Sequence, residues 1–116
     1  MRLRPQTTAA FVLNYLWLRD SNGADGEVSL SELAAELHGL QETVPRVRLY
    51  DFPQDDPTKC RQLQRDLFYL QDLRLLQNAS GNPGLKLTPL GHYFGGLFSA
   101  PSALQERVAA FAAGDR

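Results

Sequence analysis

Near the start of the chain, apolar residues fall at Ala9, Phe11, Val12, Tyr15, Leu16 and Leu18. Steps of three and four dominate, which predicts one amphipathic helix of about four turns from Pro5 to Asp20. Pro5 suits the first turn, where its missing N–H is not needed. Residues 21–26, rich in Ser, Asn and Gly, then read as a turn. A second helix opens at Ser29, because Ser29 and Glu32 have the S-x-x-E form of a capping box. Leu30, Leu33, Ala34 and Leu37 form its buried stripe, and Gly39 sits where a left-handed cap would end it. Between residues 40 and 55 there are two prolines, Pro45 and Pro53, and no clear period. Val44, Val47 and Leu49 fit a brief strand or a long loop equally well.

The third helix carries the clearest periodic signal. Asp56-Pro57 reads as an N-cap followed by proline at the first helical position. Cys60, Leu63, Leu67 and Leu70 repeat at three- and four-residue steps and face inward; Thr58, Arg61, Gln62 and Arg65 fall on the opposite side, with Lys59 and Gln64 on the flanks. Leu73–Gln77 and Leu85–Leu87 bracket the Gly- and Asn-rich stretch 78–84, which predicts a β-hairpin. Thr88-Pro89 repeats the cap-plus-proline start for a fourth helix bearing Leu90, Tyr93, Phe94, Leu97 and Phe98. From Ser102 a last helical stretch runs through Leu104, Val108 and Phe111.

This order of elements predicts a mainly α fold with a small β-hairpin: a winged helix-turn-helix domain over residues 1–99, followed by a C-terminal helical extension over 100–116. In that architecture the third helix enters the major groove of double-stranded DNA and the wing reaches an adjacent groove or the backbone. Arg donates two hydrogen bonds to guanine, and Gln pairs similarly with adenine. Arg61, Gln62 and Arg65 are therefore the candidates for base readout, Thr58 and Lys59 for phosphate near the helix start, and Lys86 for phosphate from the wing. The distribution of charge supports that placement better than its total. The chain of 116 residues has 12 Lys+Arg against 13 Asp+Glu, a net charge of −1. Residues 1–56 hold five basic and nine acidic residues, whereas residues 57–86 hold five basic and two acidic, a local excess of the sign that neutralises phosphate.

The residues of the third helix also carry a family resemblance. Leu63-Gln64-Arg65-Asp66-Leu67-Phe68-Tyr69-Leu70, followed by Leu75, resembles the x-I-Q-R-D-L-x-x-L recognition helix of bacterial WYL-domain transcriptional regulators. Tyr50-Asp51-Phe52-Pro53-Gln54-Asp55-Asp56-Pro57 is similar to the extended turn before that helix in part of the family. The resemblance covers roughly residues 28–77. It implies a sequence-specific, usually dimeric DNA-binding protein, with Gln64 and Arg65 on the DNA-facing helix. The family normally continues into an effector-sensing domain, which does not fit in 116 residues, so the chain is expected to be either the DNA-binding part of a longer regulator that carries such a domain or a free-standing small regulator. The loop of about 16 residues before the third helix also departs from the tight turn of the simplest helix-turn-helix.

Other chemistry in the chain reads as structural. With 43% hydrophobic residues and balanced charge, the chain has the composition of a folded globular domain. No run approaches the roughly 18 apolar residues of a membrane span, and no secretory signal is present, so a cytoplasmic location is expected. The single cysteine, Cys60, fits the apolar stripe as a core thiol. His38 and His92 lack partners at metal-ligand spacing, so no metal or cofactor is expected. No nucleophile–base arrangement points to an enzyme. Phe11, Tyr15, Phe94, Leu97, Phe98, Leu104, Val108 and Phe111 together exceed the apolar surface that a small three-helix core needs, and they predict a homodimer formed by the first and last helices. Trp17 suits half-buried packing or a partner contact. The rival expectation keeps the fold and removes the DNA, leaving a winged-helix module for protein–protein interaction.

Overall fold

The structure is a computed structural model, and it describes residues 7–21, 27–44, 49–53, 55–78, 84–96, 106 and 108–111. The element order is α1 (Thr7–Ser21), β1 (Glu27–Ser29), α2 (Leu30–Thr43), α3 (Arg61–Asp72), β2 (Leu76–Asn78), β3 (Gly84–Leu87) and α4 (Pro89–Gly95), with a single 3₁₀ turn at Pro57–Lys59. Residues 108–111 are also helical. The molecule is mainly helical with one small three-stranded antiparallel sheet in the order β1-β3-β2, an arrangement compatible with a winged-helix-like fold. No helix among the described residues is long and apolar enough to cross a membrane.

The hairpin expected from the Leu/Gly pattern is present as β2 and β3, with Leu76 opposite Leu87 and Asn78 opposite Leu85. The sequence reading missed β1, which adds to the other edge of β3 and places Val28 opposite Leu85. Val28, Leu76, Leu85 and Leu87 are buried, while Gln77 and Lys86 are exposed, the alternation that a half-buried sheet produces. A strand of three residues whose last is the cap serine leaves too little alternation to read as a strand.

Two predicted helix ends move. Ser29 caps α2 as expected, its side chain accepting the Glu32 N–H at 3.1 Å. Gly39, however, does not end the helix. The helix continues to Thr43, and Val44 N–H bonds back to the Leu40 carbonyl at 2.8 Å. Gly39 instead faces Phe111, whose ring edge lies 3.4 Å from where a Cβ would stand. At the third helix, Asp56 and Pro57 start the 3₁₀ turn and not α3. Cys60 takes extended backbone and caps α3 without a side-chain bond, so Thr58 and Lys59 precede the helix. Its inward stripe is as expected: Cys60, Leu63, Leu67 and Leu70 are all buried.

The end of α3 has an unusual stop. Arg74 is the one non-glycine residue with positive φ among the described residues, at 64°. Its N–H bonds to the Gln71 carbonyl and that of Leu75 to the Leu70 carbonyl, both at 3.0 Å. These are the paired bonds of a Schellman cap, with buried Leu70 and Leu75 as its accompanying apolar contact. Glycine usually holds that position; a side chain there is strained.

The fourth helix packs through its glycines. Thr88 caps it, accepting the Gly91 N–H at 3.0 Å. The face turned to the core is Gly91 and Gly95, while Leu90, Tyr93 and Phe94 are exposed. A Cβ on Gly91 would meet the Leu75 carbonyl oxygen at 2.0 Å, and one on Gly95 would meet Trp17 Cβ at 2.8 Å. The glycines thus allow backbone to approach backbone, and Asn14 Nδ2 fastens the contact by donating to the Gly95 carbonyl at 2.9 Å. Trp17 takes the half-buried packing role, with its ring against Gly96. The turn at 22–26, the hairpin tip at 79–83, Pro5, Val47 and Ser102 lie outside the described residues.

Replacing Arg74 with glycine removes the left-handed strain, and Arg74→Gly is expected to raise stability by about 1 kcal/mol in chemical denaturation.

Candidate nucleic-acid interface

Helix α3 separates into two faces. Leu63, Leu67 and Leu70 are turned into the core, and Arg61, Gln62, Arg65, Phe68, Tyr69 and Asp72 are exposed. Arg61 and Arg65 lie one turn apart, and the Arg65 side chain is 69% exposed. No described segment covers either guanidinium.

Asp66 stands behind that face, on the same helix, and is buried. Its Oδ2 accepts from the Thr8 hydroxyl of α1 and from the Tyr50 hydroxyl at 2.6 Å. Its Oδ1 lies 3.6 Å from Arg65 Nε. One carboxylate thus ties α3 to the first turns of α1, to the segment before α3 and to the exposed arginine beside it. Burial, followed by the Asp66 carboxylate, pushes the Tyr50 hydroxyl above its ordinary range. Tyr50 is placed in turn by Gln41 of α2, whose Oε1 accepts the Leu49 and Tyr50 N–H groups at 2.8 and 3.1 Å and whose Nε2 donates to the Tyr50 carbonyl at 2.9 Å. Tyr50 also packs edge-on against Phe52, with ring centroids 5.7 Å apart.

Three of the predicted DNA-contacting residues have other commitments. The Thr58 hydroxyl donates to Asp56 Oδ1 at 2.6 Å, so its proton is not offered to a phosphate. Gln62 is exposed, but its Oε1 accepts the Asp51 N–H at 2.9 Å; reading adenine with both amide groups would break that bond. Half-buried Gln64 donates Nε2 to the Thr58 carbonyl at 2.9 Å and braces the 3₁₀ turn. Lys59, Arg61 and Arg65 remain as exposed cationic donors. The Thr58 hydroxyl and N–H hold the Asp56 carboxyl below its ordinary range. With exposed Asp51 and Asp55 nearby in the chain, the positive surface therefore centres on Arg61 and Arg65 and not on the turn before them.

Lys86 is exposed on the central strand, near enough to Asp20 of α1 to favour its charged form. Asp20 also lies 3.4 Å from His92 Nε2 of α4. Burial nevertheless pushes the Asp20 carboxyl above its ordinary value, against the pull of His92, Arg19 and Lys86.

The predicted dimer residues divide. Tyr15, Val108 and Phe111 are buried in the chain's own core, so they are not on a surface where a second copy could meet them. Tyr15 donates its hydroxyl to Glu36 at 2.6 Å, and Arg19 Nε joins the same carboxylate at 2.9 Å. Phe11 is half-buried against the core. Phe94 is exposed and stacks edge-on with Tyr93, with centroids 5.2 Å apart. Leu97, Phe98 and Leu104 lie outside the described residues. Periodicity alone missed two residues of the α3 region. Asp66 carried a signal, as the one acid between Leu63 and Leu67 on an otherwise apolar flank; exposed Phe68 carried none beyond being out of step with the leucine stripe.

Cys60 is a buried thiol. His38 lies 3.4 Å from Glu42 and packs on Phe52. Among the described residues no group of His, Cys, Asp and Glu could hold a metal ion. Comparison with protein-family models, with curated proteins and with solved structures found no match. The likeness to WYL-domain regulators therefore rests on the residues themselves.

Asp66→Ala strands the buried Tyr50 hydroxyl and the half-buried Thr8 hydroxyl, and it is expected to lower stability by about 3 kcal/mol in urea denaturation. Asp20 works in the opposite sense. A carboxyl whose folded value is raised favours the fold most below its ordinary pKa near 3.8, and that contribution is lost as pH rises through the raised value. The stability of Asp20→Asn relative to the parent chain should accordingly increase between about pH 3 and pH 7, as followed by thermal melts across that range.

Proposed function

We propose that this chain is a winged helix-turn-helix protein that binds double-stranded DNA in a sequence-specific manner and acts as a transcriptional regulator. The observation that carries the reading is the pair Arg61 and Arg65, one turn apart on the uncovered face of α3. The order α1-β1-α2-α3-β2-β3 and the sheet order β1-β3-β2 support it, since they join the third helix to a hairpin as a wing requires.

A helix about 10–12 Å across fits a major groove of about 12 Å. Four residues of helix rise about 6 Å, close to two base steps of about 3.4 Å each. Arg61 and Arg65 would therefore address base pairs two steps apart. Asp66 sits at the Nε side of Arg65, which turns the Nη edge toward a guanine. Lys59 would neutralise phosphate beside the helix, and Lys86 would do so from the sheet. Two copies joined through the exposed α4 surface around Phe94 would read a two-fold-related site.

A second reading has its own observation. Leu90, Tyr93 and Phe94 expose apolar surface with no local excess of positive charge, as a protein-interaction module would. Salt separates the two readings, since phosphate contacts release counterions and an apolar interface does not.

Selection from random duplexes is expected to yield a palindromic consensus, bound with log K falling against log salt at a slope steeper than about −2. Arg65→Ala should then lose about 1–3 kcal/mol on that site. Undiminished binding by an Arg61→Ala/Arg65→Ala double variant would remove α3 as the reading helix.

A further inference from the structure

Phe68 is 71% exposed, more than any other large apolar side chain among the described residues. Its position has no use in the core, because Leu63, Leu67 and Leu70 fill the inward face of α3. It lies three residues after Arg65 and seven after Arg61, so all three share one stripe of the helix. Leaving a phenyl ring in water forgoes the stabilisation that burial would bring, which directs attention to what could cover it. Its surroundings narrow the choice. Protein interfaces also use arginine, but on this stripe two arginines outnumber the one acid, Asp72, and their net charge suits a polyanion. On the major-groove floor of a duplex, the apolar group on offer is the methyl at C5 of a pyrimidine.

From this we infer that Phe68 reads the C5 methyl of a pyrimidine, thymine or 5-methylcytosine, neighbouring the guanine met by Arg65. The inference rests on the proposed DNA binding and names the base chemistry recognised at that site. Side chains three apart on a helix have Cβ atoms about 5–6 Å from each other, so a guanidinium on one base pair leaves the phenyl ring over the next. Asp66 Oδ1 lies 3.6 Å from Arg65 Nε, and Phe68 stands one turn further along the same stripe. Tyr69, one turn after Arg65, and Leu73 continue the exposed apolar surface toward the end of α3.

The test uses the full chain and a selected duplex in which each thymine in turn is replaced by deoxyuridine and each cytosine by 5-methylcytosine. At one position, removing the methyl should weaken binding about fourfold, or adding one should strengthen it by as much, the worth of one buried methyl group. The deoxyuridine arm identifies thymine as the source and the methylcytosine arm identifies the modified base. Phe68→Ala, which alters only an exposed side chain and should melt with the parent, is expected to bind both forms equally. Arg65→Ala should bind more weakly yet keep the methyl preference. Duplex binding that ignores every methyl swap, or a preference that survives in Phe68→Ala, overturns this inference and leaves DNA binding standing. Failure of the parent chain to bind any duplex overturns the DNA reading and this inference with it.

Discussion

The buried carboxylate of Asp66 joins parts of the chain that are far apart in sequence. It receives hydroxyl protons from Thr8 on α1 and Tyr50 ahead of α3, and it faces the Arg65 guanidinium on its own helix. A carboxylate removed from water needs such partners, since each bond to a charged group offsets part of a large desolvation penalty. The price of that arrangement is specificity of position, because the bonds hold only when α1, the preceding segment and α3 sit at one mutual geometry. The buried leucine stripe of α3 fixes which side faces the core, and the carboxylate adds bonds to two particular hydroxyls. The orientation of the outer face, with Arg61, Arg65 and Phe68 turned to solvent, follows from the buried leucine stripe and this anchor together.

A second constraint holds the opposite side of the molecule. Helix α4 meets the rest of the chain through glycine and backbone: Gly91 above the Leu75 carbonyl, Gly95 against Trp17 and the Asn14 amide. Close backbone approach removes the need for large side chains on that face, and the aromatic residues of α4 then have nowhere to point but outward. Residues 108–111 supply what α4 withholds, placing Val108 and Phe111 in the core with Phe111 beside Gly39 of α2. Of the apolar residues expected at a dimer surface, Phe94 of α4 is exposed, while Val108 and Phe111 serve the interior.

Electrostatics follow the same local logic. A chain with a net charge of −1 has no general attraction for a polyanion, so any affinity must come from where the cations stand. Lys59, Arg61 and Arg65 stand together and open to water, while Thr58, Gln62 and Gln64 spend hydrogen-bonding capacity on shaping the approach to the helix. The proposed reading therefore relies on few cationic contacts set on a rigid helix. In such an arrangement discrimination among sequences matters more than strength of attraction to DNA at large.

Much of the architecture was legible along the chain because it depends on local chemistry. The Ser29 and Thr88 caps, the leucine stripe of α3, the buried Cys60 and the hairpin all follow from spacing within a few residues. So does the prospect of Arg61 and Arg65 on an outer face. Tertiary contacts decided the rest, for reasons no short window contains. Whether Gly39 ends a helix or makes room for a ring depends on Phe111, far along the chain. Whether Arg74 can replace a glycine depends on the Leu70–Leu75 contact and on Thr88, which donates to its carbonyl at 2.6 Å. The strand β1 exists because β3 has a free edge for it. Tyr15 and Phe111 are core because they meet Glu36 and Gly39 of α2, and Phe94 is surface because α4 turns Gly91 and Gly95 inward. Periodicity tells which residues share a face; only packing of distant segments tells which face is covered.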